Sequence, residues 1–119
     1  LRSVMVKGME ALTVECFRAA ARAGVAEEVA NSLDASEGGL GWAEQTAYNM
    51  ERMTAHGIRR AAEMREVAKT LRSLDVAPAM TTGTISWEEE MGALDLSLDS
   101  GTPLAEQLTL IEQALEKGE

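Results

Sequence analysis

Apolar residues recur every three or four positions through most of the chain, the spacing of one face of an α-helix. Leu1, Met5, Met9, Leu12, Cys16, Ala19 and Ala23 form one continuous stripe, and Gly24 supplies a C-terminal stop. Val6 and Phe17 lie on another side, so this first helix can be covered on two faces. A short helix over about Val25 to Ala35 follows, with Val29 and Leu33 pointing inward, and Ser36 to Gly41 reads as a glycine-rich loop. Trp42 opens a third helix through Ala43, Ala47, Met50 and Met53. Thr54 to Gly57 is expected to bend or break it, because glycine weakens a helix and Thr54 can cap what comes next. A fourth helix runs from His56 to Leu74 and closes at Asp75-Val76-Ala77-Pro78.

Past Pro78, the spacing of Met80, Thr84, Trp87, Met91 and Leu94 predicts a fifth helix despite Gly83. Leu96 to Gly101 is a loop, and Thr102-Pro103 starts a last helix with Thr as N-cap and Pro in the first turn. Leu104, Leu108, Ile111 and Leu115 form its narrow apolar seam, which can pack on its own domain or on a second chain. No alternation of period two bounded by turns occurs, so strands are not expected. The pattern predicts an all-α domain of about six helices.

The His56–Leu74 stretch, HGIRRAAEMREVAKTLRSL, departs from an ordinary amphipathic helix. Val67, Leu71 and Leu74 share one face with Met64 beside them, and that face continues into His56, Arg60 and Glu63, with Arg59 at its edge. A core that opens into a polar pocket, or a buried ion-pair cluster, would produce such a stripe. Glu15, at the edge of the first helix's stripe, needs a partner, and Arg59 or Arg60 is a natural candidate.

Composition, charge and length sharpen this picture. Apolar content is 45%, carried mainly by Ala, Met and Leu with 3% aromatics, which favours helices. The 119 residues suffice for one core. A formal charge of −9 argues against nucleic acid or an anionic membrane as partner, since both require a concentrated positive surface. The single cysteine, Cys16, rules out an internal disulfide and any cysteine-cluster metal site; on the apolar stripe it reads as a buried free thiol. No apolar run approaches the length of a membrane span, and Arg2, Lys7 and Glu10 interrupt any secretory h-region, which places the chain in the cytoplasm. The chain begins without Met and already inside a helical pattern, so it reads as part of something longer.

The chemistry-bearing residues are few. One histidine, His56, excludes a two-histidine metal site, and Glu88-Glu89-Glu90 fan around a helix as a solvated face would. His56, Arg60 and Glu63 could hold an anionic substrate, with Arg as the fork and His as a donor; the same residues could equally form an internal network joining the first and fourth helices. The glycines of Ser36 to Gly41 follow no strand, so they do not make a phosphate-binding turn.

Two stretches carry a resemblance. Lys7 to Leu12 reads Lys-Gly-x-Glu-Ala-Leu, and His56 to Met64 reads His-x-x-Arg-Arg-Ala-x-Glu-Met. Together they resemble the C-terminal helical domain of 6-phosphogluconate dehydrogenase-like proteins of the β-hydroxyacid dehydrogenase superfamily, over roughly residues 1–78. The resemblance implies an upstream Rossmann domain holding NAD or NADP, and a helical domain that closes the substrate cleft and builds a homodimer. It places the superfamily's catalytic lysine just before Leu1, outside this chain. The asparagine of the usual Lys-x-x-x-Asn pattern then falls on Ser3. A later lysine of the superfamily falls near Ala62 and Glu63 and is missing. Substrate-binding or cleft-supporting roles are therefore expected for Ser3, Lys7, His56, Arg59, Arg60 and Glu63, with no catalytic, cofactor-binding or metal residue in the chain. Lacking a glycine-rich βα turn, it is expected to be inactive alone.

The rival reading is a free-standing helical interaction domain whose Met-rich faces and last-helix seam mediate association. The dehydrogenase reading predicts that Lys7 and Arg60 line one solvent-accessible concavity. Enclosure of Arg60 by Glu15 or Glu63 would make its role structural.

Overall fold

A computed structural model describes residues 1–36, 41–99 and 101–117. They form five helices, α1 (Arg2–Arg22), α2 (Ala26–Ser36), α3 (Trp42–Ser73), α4 (Ala79–Gly92) and α5 (Leu104–Lys117). No strand occurs among the described residues, so the all-α expectation holds. Among the described residues no helix is long and apolar enough to cross a membrane. Most of the expected Ser36 to Gly41 loop lies outside the described residues. Gly41, at φ +67°, precedes the first turn of α3.

Helix ends follow local chemistry. After α1, Gly24 adopts φ +75°; its N–H donates to the Ala21 carbonyl and that of Val25 to the Ala20 carbonyl. This is a Schellman stop that a residue with a Cβ adopts only with strain. Asp75, at φ +60°, closes α3 in the same way, with the Val76 N–H on the Leu71 carbonyl. At α5 the helix begins one residue later than the Thr-Pro signal implies, with the Gln107 N–H donating to the Pro103 carbonyl.

The count of helices differs from the expected six because the third and fourth are one. α3 runs unbroken for 32 residues through Thr54 and Gly57. Gly57 is there for packing. A Cβ on it would fall against the Glu88 carbonyl oxygen and 2.8 Å from the Gly92 nitrogen. A Cβ on Gly92 would sit 2.6 Å from the Ile58 nitrogen. Two glycines thus let the backbones of α3 and α4 touch, and the small cost of glycine in a helix is offset by that close approach.

One core lies inside the five helices. Val14 and Phe17 of α1, Met50 and Met53 of α3 and Met91 of α4 meet Leu104, Leu108 and Ile111 of α5. Val29 and Leu33 of α2 pack on it as expected, and Leu115 completes the α5 seam. That seam packs on its own domain.

α1 is rotated relative to its expected stripe. Its buried positions are Glu10, Ala11, Thr13, Val14, Phe17, Arg18 and Ala20. Leu1, Met5, Met9 and Leu12 are exposed, Leu12 by 51%, and Cys16 is exposed too, not buried. The buried face carries Phe17, the chain's one phenylalanine, and charged residues that find partners. The Arg18 guanidinium stacks 5.4 Å from the Trp87 ring and donates to Glu90 at 3.3 Å, and the Thr13 hydroxyl accepts from Asn49. A pattern read by hydropathy cannot anticipate those partners.

The α3–α4 crossing makes a direct prediction. Gly57→Ala should lower the unfolding free energy by about 3 kcal/mol or more, the scale of overpacking against backbone that cannot yield. Gly83→Ala, where an added Cβ meets nothing within 4 Å, should be neutral or stabilising by up to about 1 kcal/mol. Urea denaturation of both variants measures the contrast. Equal effects would show that the crossing has room for a methyl group.

Candidate functional site

α1 and α3 enclose a half-open concavity of about 470 Å³. From α1, Val6, Lys7, Met9, Glu10 and Thr13 line it. From α3 come Trp42, Gln45, Tyr48, Asn49 and Arg60. Lys7 and Glu10 stand three residues apart and so share a side of their helix. Arg60 reaches them from α3. Its Nη1 donates to both Glu10 oxygens, at 2.8 and 2.6 Å, and its side chain is 11% exposed. At the other end of the α3 contribution, the Gln45 amide donates to Asn49 Oδ1 and the Asn49 amide to the Thr13 hydroxyl, both at 3.0 Å. Lys7 has no hydrogen bond or salt bridge among the described residues. Trp42 keeps its Nε1 donor buried without a partner among the described residues.

Behind the Glu10–Arg60 pair lies Glu88 of α4, fully buried. The sequence pattern places it on a solvated acidic face. Instead the three glutamates diverge: Glu88 turns inward, Glu89 pairs with Arg65 and Glu90 with Arg18. Thr84, Glu88 and Met91 share one helical face, and that face is the one α4 buries. Among the described residues no donor reaches either Glu88 oxygen, and Glu10 lies close enough to accept a hydrogen bond from a protonated Glu88. Burial raises its pKa first and the Glu10 carboxylate adds to the rise, against the opposing pull of Arg60 and Lys7, to about 8. Glu88 is thus a neutral acid at neutral pH.

The remaining expected site residues sit elsewhere. Arg59 and Glu63 are exposed and pair with each other at 3.7 Å, one turn apart. His56 is partly buried on α3 and Ser3 partly buried on α1, and neither lines this concavity. Partial burial, then the neighbouring Arg52, Arg59 and Arg60, lower the His56 pKa. Arg60 is partnered by Glu10, and Glu15 accepts instead from Trp87 Nε1 at 3.0 Å. The structure therefore brings together Lys7 and Arg60 of the six. It adds Glu10, Glu88, Trp42, Tyr48 and Asn49, which the sequence reading does not single out. A carboxylate three residues beyond Lys7, on its side, is the one signal that points to Glu10.

The raised Glu88 pKa has a thermodynamic consequence with a fixed sign. The folded state binds a proton that the unfolded chain releases at about its ordinary value near 4.5. The stabilisation is fully present below that value and is lost as pH rises through about 8. Glu88→Gln keeps the shape and removes the titration. Relative to the parent chain, it should gain stability steadily from pH 5 to pH 8, reaching roughly 2 kcal/mol or more. Denaturation at several pH values tests this; parallel pH profiles for the two chains would show that Glu88 does not hold the proton.

Comparison with known proteins agrees with this architecture. A family model described as "Domain of unknown function (DUF1932)" matches residues 20–91. A crystal structure of a conserved hypothetical protein from Sinorhizobium meliloti 1021 is similar, with a TM-score of 0.85 and 31% identity. The match covers 95% of this chain and 38% of that one, so the chain spans well under half the length of its solved relative. No curated protein matches it. The fold shared with that structure and the family match from the end of α1 through nearly all of α4 lead to one conclusion: the chain belongs to the DUF1932 family, a helical domain found at the C-terminal end of 6-phosphogluconate dehydrogenase-like proteins.

Proposed function

We propose that this chain is the substrate-binding and dimerisation domain of an NAD(P)-dependent hydroxyacid dehydrogenase-like oxidoreductase of the cytoplasm, inactive alone. The observation that carries the reading is the meeting of Lys7 and Arg60, from helices far apart in sequence, in one polar concavity of a DUF1932 domain. Lys7, with no salt bridge among the described residues, beside an Arg60 already balanced by Glu10 suits a small anionic substrate, which the pair would bind and orient. The nicotinamide chemistry belongs to an upstream Rossmann domain in this reading, as does the lysine that moves the proton. Among the described residues no strand leads into a helix, so none of them forms a Rossmann-type phosphate turn, and the part assigned to this chain is binding and positioning.

Dimerisation draws support from the rotation of α1. Leu1, Met5, Met9 and Leu12 leave an apolar ridge in solvent, and beside it α1 and α4 form an apolar groove of about 490 Å³ bordered by Met80 and Trp87. Such a patch marks an association surface. The same surface is what favours the second reading, a helical interaction domain with no catalytic role.

The upstream coding sequence and the activity of the whole gene product separate these readings, and sedimentation tests the association that both share. The coding sequence upstream of Leu1 should encode a Rossmann domain with a glycine-rich turn, and the whole gene product should reduce NAD or NADP with a hydroxyacid. Lys7→Met in that enzyme should raise KM about tenfold with a smaller effect on kcat. A start codon immediately before Leu1 sinks the dehydrogenase reading and leaves the interaction domain. For association, sedimentation should give a dimer that Leu12→Glu converts to monomer. A parent chain that is already monomeric overturns the dimerisation half.

A further inference from the structure

The α1–α3 concavity has two chemically different ends. Lys7 and Arg60 stand at one, and Trp42 and Tyr48, half of the chain's four aromatic residues, stand at the other. Along α3, Trp42 and Tyr48 occupy the first two turns and Arg60 lies about three turns further on, so the ends are separated along the helix. Gln45 and Asn49, between them, are already bonded to each other and to Thr13. That leaves the charged binding capacity at the cationic end, with the Trp42 Nε1 donor as the unpartnered polar group at the aromatic end among the described residues. Met9 and Val6 add apolar wall.

Charge sets the number of anionic groups that the cationic end accepts. Arg60 is balanced by Glu10 at 2.6 Å. Glu88, buried beside them, is uncharged at neutral pH, because burial and the neighbouring Glu10 carboxylate favour its protonated form. Lys7 is without a salt bridge among the described residues and is the surplus charge. One positive charge in excess matches one carboxylate. A chain of net charge −9 disfavours a doubly charged ligand further.

We infer that this concavity binds an organic monocarboxylate with an aromatic body, its carboxylate on Lys7 and Arg60 and its ring against Trp42 and Tyr48. The volume of about 470 Å³ accepts a ring and a short alkyl arm. Ring-on-ring contact and an ammonium–carboxylate hydrogen bond supply orientation from opposite ends. The inference rests on the proposed substrate-binding role and narrows its substrate to aryl-substituted acids.

The test is a titration of the 119-residue chain, without nicotinamide, with 3-phenylpropionate, propionate and inorganic phosphate. Tryptophan fluorescence and isothermal calorimetry are the readouts. The expected result is saturable binding of 3-phenylpropionate, at least about tenfold tighter than propionate or phosphate, with quenching lost in Trp42→Phe. Lys7→Met should weaken binding about tenfold. Its side chain has no salt bridge to lose, so folding is preserved, and unchanged circular dichroism verifies that. Trp42→Leu should weaken 3-phenylpropionate about tenfold and leave propionate unchanged. No binding, equal binding of propionate or phosphate, or indifference to Lys7→Met overturns the inference. Failure of the dehydrogenase reading has a different signature: binding persists here while the whole gene product turns over no hydroxyacid.

Discussion

The backbones of α3 and α4 touch where they cross at Gly57 and Gly92, and much else depends on that contact. With no Cβ on either side, the Gly92 backbone lies in the space a side chain of residue 57 would take. The Glu88 carbonyl lies there too, so the residue that begins this contact on α4 is carried into the interior with its carboxyl group. An alanine at either glycine would have to push the helices apart, and the Glu88 carboxyl would then move away from Glu10 and Arg60. Close helix packing and the buried acidic group are one structural fact seen twice.

A buried carboxylate is tolerated in two ways, and both occur side by side. Glu10 is ionised against a guanidinium that meets both its oxygens, which repays much of its desolvation. Glu88 has no such partner and is stabilised by keeping its proton. The pair therefore carries one negative charge at neutral pH, which Arg60 matches, and Lys7 is left facing the concavity with its charge uncommitted. The polar layer between α1, α3 and α4 is thus less a source of stability than an arrangement that fixes where a positive charge remains. Hydrophobic packing around Phe17, Met50, Met53, Met91 and Ile111 holds the layer in place.

The sequence is most legible where burial and apolarity coincide. The α5 seam, the inward Val29 and Leu33, and the stops at Gly24 and Asp75 are readable because each follows from local chemistry or from an unmixed apolar stripe. It is least legible on α1. Two stripes compete there, and the one that packs contains Glu10 and Arg18, which hydropathy counts against it. Cys16 goes to the surface with the losing stripe. Glu88 is obscured by Glu89 and Glu90, although its phase with Thr84 and Met91 marks it as inward. Gly57 reads as a break because its local propensity is poor, whereas its role is set by a helix some thirty residues away.

From the residues alone come the helical class, the positions of most helix ends, the pairing of a lysine motif with a double-arginine motif, and the absence of a dinucleotide-binding turn. These are local properties: periodicity, capping and composition act over a few residues. Only the tertiary structure decided which face of α1 is buried, that α3 is continuous, that Arg60 belongs to Glu10, and that Lys7 stands without a salt bridge opposite two aromatics. Each of those depends on which groups from distant helices are within reach to neutralise or cover a side chain. A charged residue becomes a core residue, a surface residue or a binding residue according to the partner that the fold supplies.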